Sequence, residues 1–255
     1  MIHDSTQRFT DRVADYVKYR PTYPRDVIAF LHEQCGVTEV ARVADIGAGT
    51  GISAKLFLDA GHPVVAVEPN GAMREAADAW LARYPGFTSV PGTAEATTLD
   101  SASVDLVIAA QAFHWFDPAT AKREFARILK PGGLVALFWN SRRLTGTPFL
   151  EDYEALLQRY GVDYTEVAER YADDARMAEW FGAEFVRQGI FANAQRLDFD
   201  GLKGRLMSSS YAPKAGHPNH KPMLAALRDL FDRDANDGAV ELLYDTRVYA
   251  GRPAV

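Results

Sequence analysis

Cysteine is nearly absent: Cys35 is the only one in 255 residues. No intramolecular disulfide can form, and no Cys/His cluster supplies the tetrahedral spacing of a structural zinc site, so no metal is expected. A reducing, cytoplasmic setting suits such a chain. Basic residues are in the minority as well. The 28 Lys plus Arg face 34 Asp plus Glu, for a formal net charge of -6; that balance offers no footprint for a phosphate backbone and argues against nucleic acid as partner. Long apolar runs are missing, and the opening MIHDSTQRFTDRVADYVKYRP is polar and mixed in charge, so neither a membrane nor an export route is expected. What is present is ordinary core material, 47% apolar residues with 24% charged, enough for one large domain or two small ones.

From residue 41 to residue 140, short apolar runs alternate with segments of helical period. ARVADI (41–46) enters a glycine turn, after which Ile52, Leu56 and Ala60 recur at helical spacing until Gly61 offers a C-terminal cap. PVVAVE (63–68) reads as a second strand. Met73, Ala77, Trp80, Leu81 and Tyr84 share a helical face that Pro85 ends, and residues 87–90 form a short third strand. Residues 104–109 form a fourth. Asp117-Pro118 pairs a cap with a first-turn proline, opening a helix striped by Ala121, Phe125, Ile128 and Leu129, and LKPGG (129–133) then turns into a fifth strand over 134–139. Repeated β-α-β units imply a Rossmann-like α/β fold, a mainly parallel sheet between two helical layers. Ligands in such sheets bind beyond the carboxyl ends of the strands, where the glycine turn lies.

The texture changes after residue 141. Residues 149–160 and 173–185 read as helices, neither followed by a parallel-strand signal, and residues 141–189 are taken as a helical cap or lid. Residues 191–199 and 240–249 read as sixth and seventh strands able to pair antiparallel at a sheet edge, with helices near 202–207 and 223–231 between them. No repeat, low-complexity tract or linker divides the chain, so one domain over 1–255 is expected, with its core at 41–140 and late strands within 190–255.

The glycine turn, VADIGAGTGIS (43–53), narrows the choice of ligand. A dinucleotide fold wants G-x-G-x-x-G; Gly47 and Gly49 supply the first two, but Ile52 holds the third place and the next glycine comes one position early, at Gly51. No Gly-Lys-Ser/Thr follows, which removes a P-loop. Asp45, ending the first strand, would repel pyrophosphate yet suit an ammonium group. Glu68 closes the second strand, 17 residues beyond Gly51, where a carboxylate can accept from both ribose hydroxyls. S-adenosylmethionine carries the ammonium, the sulfonium and the ribose that these two acids would frame.

With that, the sequence resembles the class I S-adenosylmethionine-dependent methyltransferases, in the methyltransferase type 11 group that includes trans-aconitate methyltransferase. The resemblance runs through YVKYRPTYP (16–24), DIGAGTG (45–51), VAVEP (65–69), GTAE (92–95), AQAFHWF (110–116), LKPGG (129–133), SSSYAP (208–213) and YDTRVY (244–249). It implies a seven-stranded sheet of order 3-2-1-4-5-7-6 with strand 7 antiparallel. It also implies that residues 1–40 cover the cofactor, with Tyr19 and Arg20 beside it, and that Asp45, Gly47, Ala48, Gly49 and Gly51 meet its methionine part. Glu68 and Pro69 would take the ribose, Thr93, Ala94 and Glu95 the adenine, and Gln111 the methionine end. Arg20 suits the cofactor carboxylate, because a guanidinium fork matches two oxygens.

The expected activity is in-line methyl transfer to a small organic molecule, a carboxylic acid among the candidates. His114 is the candidate catalytic residue, as an acid/base or only as a neighbour of the cofactor. Trp115 and Phe113 could face the sulfonium or belong to the core. Tyr16, Arg142 and Tyr211 are candidate substrate-binding residues; Arg142 and Arg143 could equally be solvated charges. Competing readings are an NAD-dependent oxidoreductase, which must tolerate the glycine misfit, and a protein that binds S-adenosylmethionine without catalysis. A monomer or a homodimer is compatible with all three.

Overall fold

The computed structural model describes residues 19–164 and 174–253. Strand–helix alternation holds through the first half of the chain: α1 (Asp26–Cys35), β1 (Val43–Ile46), α2 (Ile52–Asp59), β2 (Val64–Val67), α3 (Gly71–Leu81), β3 (Phe87–Val90), β4 (Val104–Ala110), α4 (Pro118–Ile128) and β5 (Leu129–Arg142). The sequence signals act locally as expected. Asp117 caps α4 by accepting from Thr120 at 2.7 Å with Pro118 in the first turn; Asn70, which the sequence reading did not single out, caps α3 by accepting from the Met73 amide at 3.0 Å. The remainder comprises α5 (Pro148–Tyr160), α6 (Asp174–Phe181), β6 (Phe185–Leu197), α7 (Phe199–Met207), α8 (His220–Asp234) and β7 (Val240–Gly251).

The sheet order is β3-β2-β1-β4-β5-β7-β6. The first five strands in that order run parallel, while β7 is antiparallel to both β5 and β6. This is the topology implied by the family resemblance. Apolar layers cover both faces, one built on Leu31, Phe57 and Phe138 and the other on Phe125, Trp139 and Phe181. A third core joins α5, α7 and α8 to β7 through Leu157, Leu206, Leu227 and Tyr244. It forms the wall that faces the carboxyl ends of the parallel strands.

Several boundaries differ from the sequence reading, the fifth strand running over Leu129–Arg142 rather than 134–139. The helix expected over 173–185 stops at Phe181, where Gly182 takes a φ of +62° that ends the helical path. β6 consequently begins at Phe185, in register with Gly251, rather than at 191. It also ends before 199, because Asp198 accepts from the Gly201 amide at 2.7 Å and caps α7 at Phe199.

One buried pair makes stability depend on pH. His62 is 1% exposed, and its Nδ1 lies 3.0 Å from the Ala41 carbonyl, so Nδ1 carries the proton and Nε2 accepts from His32 Nε2, 3.0 Å away. Burial, reinforced by His32, holds the His62 imidazole below its ordinary 6.5. Above that value both folded and unfolded chains are neutral at His62 and its contribution is complete; below it the unfolded chain takes up a proton that the folded chain refuses, so stability is lost as pH falls. Urea unfolding between about pH 7 and about pH 5 should therefore show a steeper loss in the natural protein than in His62→Gln. Parallel curves would remove this pair from the pH dependence.

Candidate active site

A cavity of about 420 Å³ opens at the carboxyl ends of β1, β2, β4 and β5. The glycine loop forms one side of it. Gly47 donates its N–H to Val67 at 2.9 Å and takes a φ of +69°; a Cβ there would lie 2.7 Å from the Ala112 Cβ. Gly47 and Gly49 line the cavity, and Ala48 lines a smaller pocket adjoining it. Gly51 lines neither. It caps α2 at a φ of +87°, and a Cβ would meet Leu81 of α3 at 2.7 Å, so its function is close helix packing.

Glu68 is 7% exposed and faces the same cavity. Its Oε2 accepts from the Gly49 amide at 2.9 Å and its Oε1 from the Asn70 amide at 2.8 Å. Each oxygen keeps a lone pair for a further donor. Burial raises its pKa above the ordinary carboxylate value despite both amides and Arg74. Asp45 is placed differently from the sequence expectation. It is fully buried, does not line the cavity, and accepts from Ser53 Oγ at 2.6 Å, tying β1 to the first turn of α2. Burial pushes its carboxyl up to about 7 against the Ser53 and Ala54 hydrogen bonds. An acid that holds the loop from beneath replaces the expected direct partner of the ammonium group.

Pro69, Thr93, Ala94 and Glu95 line the wall beyond Glu68, and Glu95 accepts from the Asp117 amide at 2.8 Å. Gln111 lines the opposite side with a φ of +58°, outside the usual range for a residue with a side chain. Its Nε2 donates to the Asn140 carbonyl at 3.2 Å, while its buried Oε1 has no hydrogen-bond partner among the described residues. Strain and an unsatisfied acceptor coincide here, as they do at ligand sites. In the turn Phe113–Trp115, His114 and Trp115 line the cavity with ring centroids 4.8 Å apart, whereas Phe113 turns into the core edge-on to Trp139 and Trp180.

The segment before α1 crosses the sheet edge as a strap. The Thr22 carbonyl accepts from Asn140 at 3.1 Å and from Asn193 at 2.7 Å, and the Tyr19 carbonyl accepts from Gln195 at 3.1 Å. Arg20 is thereby held at the cavity wall, donating to the Ser208 carbonyl at 2.8 Å. The Tyr19 ring packs onto Gly204 and does not line the cavity. Tyr16 lies outside the described residues.

At the far end, Arg142 lines the cavity but is paired with Glu154, with Tyr164 Oη at 3.1 Å and the Tyr153 ring beneath its guanidinium. Arg143 turns outward to Asp245 at 2.6 Å. Tyr211, 7% exposed, lines this end edge-on to Tyr164. No group of three His, Cys, Asp or Glu among the described residues could hold a metal; the His217 and His220 Nδ1 atoms lie against the Asn219 amide and the Pro213 carbonyl.

Residues 44–137 match the family model for a methyltransferase domain. An uncharacterized methyltransferase of Schizosaccharomyces pombe is 30% identical over 202 residues, covering 79% of this chain and 77% of that protein. The chain belongs to the class I S-adenosylmethionine-dependent methyltransferase family. An uncharacterized methyltransferase of Mycobacterium tuberculosis is 42% identical over 139 residues, and this match spans 54% of each protein. Among solved structures, one from Anaeromyxobacter dehalogenans, provisionally assigned as a type II methyltransferase, superposes with a TM-score of 0.69 at 24% identity over 92% of this chain and 98% of that one. No helix among the described residues is long and apolar enough to cross a membrane.

Two features suit the cofactor of this methyltransferase family: the remaining lone pairs of Glu68 and the orphan Oε1 of Gln111. Sequence reading missed Asn140, Met73, Glu154, Tyr164 and Arg205, all of which line the cavity. Asn140 was within reach, since it directly follows the fifth strand as read over 134–139, at the ligand edge. Arg205 and Glu154 sit in helices whose local pattern carries no sign of which face meets the cavity.

Proposed function

We propose that this protein moves a methyl group from S-adenosylmethionine to a small organic molecule, with a carboxylic acid among the acceptors that the site suits. One observation carries the reading: a single chamber joins the glycine loop and Glu68 to a second end walled by Tyr164, Tyr211, Arg142 and Arg205. Two ligands can meet there. When bound, the cofactor supplies an electrophilic methyl group on sulfur.

This chain's residues would orient and enclose. Glu68 would hold the ribose hydroxyls, Thr93 to Glu95 the adenine, Gln111 the ammonium group through its orphan Oε1, and Arg20 the cofactor carboxylate. Alignment of nucleophile, carbon and sulfur by such a chamber can lower a barrier by as much as about 7–11 kcal/mol. His114, which lines the cavity, would accept a proton only from an acceptor that must lose one; a carboxylate is already ionised. The motifs from YVKYRPTYP to YDTRVY favour the group related to trans-aconitate methyltransferase.

Titration calorimetry separates this from an oxidoreductase: S-adenosylhomocysteine should bind and NADH should not, and the reverse would reject the proposal. Transfer of labelled methyl to any member of an acceptor panel then distinguishes an enzyme from a cofactor-binding protein.

A further inference from the structure

Arg205 presents a charge that the structure itself does not balance. It is 8% exposed and lines the acceptor end of the chamber. Its Nε donates to Tyr244 Oη at 3.3 Å and its Nη1 to Ser209 Oγ at 2.9 Å, both neutral hydroxyls. No carboxylate among the described residues pairs with it, whereas Arg142 in the same chamber is matched by Glu154. Glu154 is thus taken up by Arg142, and the Arg205 guanidinium is left with hydroxyl partners alone among the described residues. A buried, unpaired cation is costly for a folded protein, and such groups persist where a ligand completes them.

The orientation of that charge is also set in advance. Tyr244 Oη donates to Gln195 Oε1 at 2.9 Å, and Gln195 Nε2 donates to the Tyr19 carbonyl at 3.1 Å, so the support runs from α7 through β7 and β6 to the strap. With Nε and one side of the fork held, the Nη2 side keeps N–H groups that no described residue uses. A guanidinium edge of this kind matches two oxygens of one planar or tetrahedral anion. Ser210 and Tyr211 line the chamber beside it.

We propose that Arg205 is an anion-binding residue of the acceptor pocket, and that the methyl acceptor carries one carboxylate or phosphate group seated on its open edge. The identity of the pocket as the acceptor's rests on the methyl-transfer reading; the binding of an anion by Arg205 does not.

Thermal unfolding of the protein with S-adenosylhomocysteine tests this, using benzoate, phenyl phosphate and neutral benzamide as probes at an ionic strength held constant with sodium chloride. Benzoate or phenyl phosphate should raise the melting temperature in a saturable way, the better probe naming the anion, while benzamide should not. Arg205→Met should weaken that binding at least about ten-fold, and Arg205→Lys, which keeps the charge without the fork, should weaken it less. Arg143→Ala, outside the chamber, should leave it unchanged. The lysine variant carries the test if the methionine variant does not fold. Three results would overturn the proposal: no shift with either anion, an equal shift with benzamide, or anion binding unchanged in both Arg205 variants. Calorimetry with S-adenosylhomocysteine on the same samples keeps the two readings apart, since an Arg205-dependent anion shift without cofactor binding retains the anion site and rejects methyl transfer.

Discussion

Replacing Glu68 with alanine should weaken S-adenosylhomocysteine binding by about a hundred-fold, on the order of 3 kcal/mol. Hydrogen bonds to a charged group contribute about 1.5–3 kcal/mol each, and the proposed ribose contact uses both carboxylate oxygens. The same side chain also holds the Gly49 and Asn70 amides at 2.9 and 2.8 Å, so its loss loosens the loop that lines the other side of the ligand. Glutamine should not restore affinity. Its amide group would point N–H donors at one of those backbone N–H groups, exchanging an attraction for a repulsion. Titration calorimetry on variants with native circular dichroism provides the check, and an alanine variant that binds as tightly as the natural protein would remove Glu68 from the cofactor site.

Gly47→Ala should be nearly as damaging, for steric reasons. A side chain at a φ of +69° costs about 1–2 kcal/mol, and the added Cβ would stand 2.7 Å from the Ala112 Cβ and 3.4 Å from the Phe116 ring. The Ala112 methyl cannot rotate aside, so either the loop or the segment carrying His114 must shift, adding about 1–3 kcal/mol. Gly61→Ala is the matched control, with a φ of +93° but no atom within 4 Å of the new Cβ. Gly61→Ala should lose only the conformational part and bind S-adenosylhomocysteine normally. Gly47→Ala should melt lower than the control and lose at least about ten-fold in affinity, since a misplaced loop forfeits more than one contact. Equal behaviour of the two variants would show that the Ala112 contact does not shape the site.

Different parts of the molecule were legible in the sequence to different degrees. Asp117-Pro118 and the turn at Gly47 and Gly49 each act within a few residues, and each does what its local chemistry dictates. Asp45 does not yield to that reasoning. β1 is buried at all four positions, lying inside a parallel sheet covered on both faces, so no polar–apolar alternation marks where its side chains point. The start of β6 was obscured likewise, because residues 185–190 become strand by pairing with β7, more than fifty positions later in the chain, rather than by their own pattern.

The sequence by itself determined the parallel core, the glycine loop and the acid at Glu68, since periodicity, caps and turns are encoded in short windows. Only the tertiary structure decided that Asp45 braces the loop from below, that Arg142 is neutralised while Arg143 faces solvent, and that Arg205 is buried among hydroxyls. The physical reason is that a polar side chain's charge balance depends on which distant groups share its dielectric surroundings. Tyr244, which orients Arg205 from 39 residues away, is such a group, and no local pattern announces it.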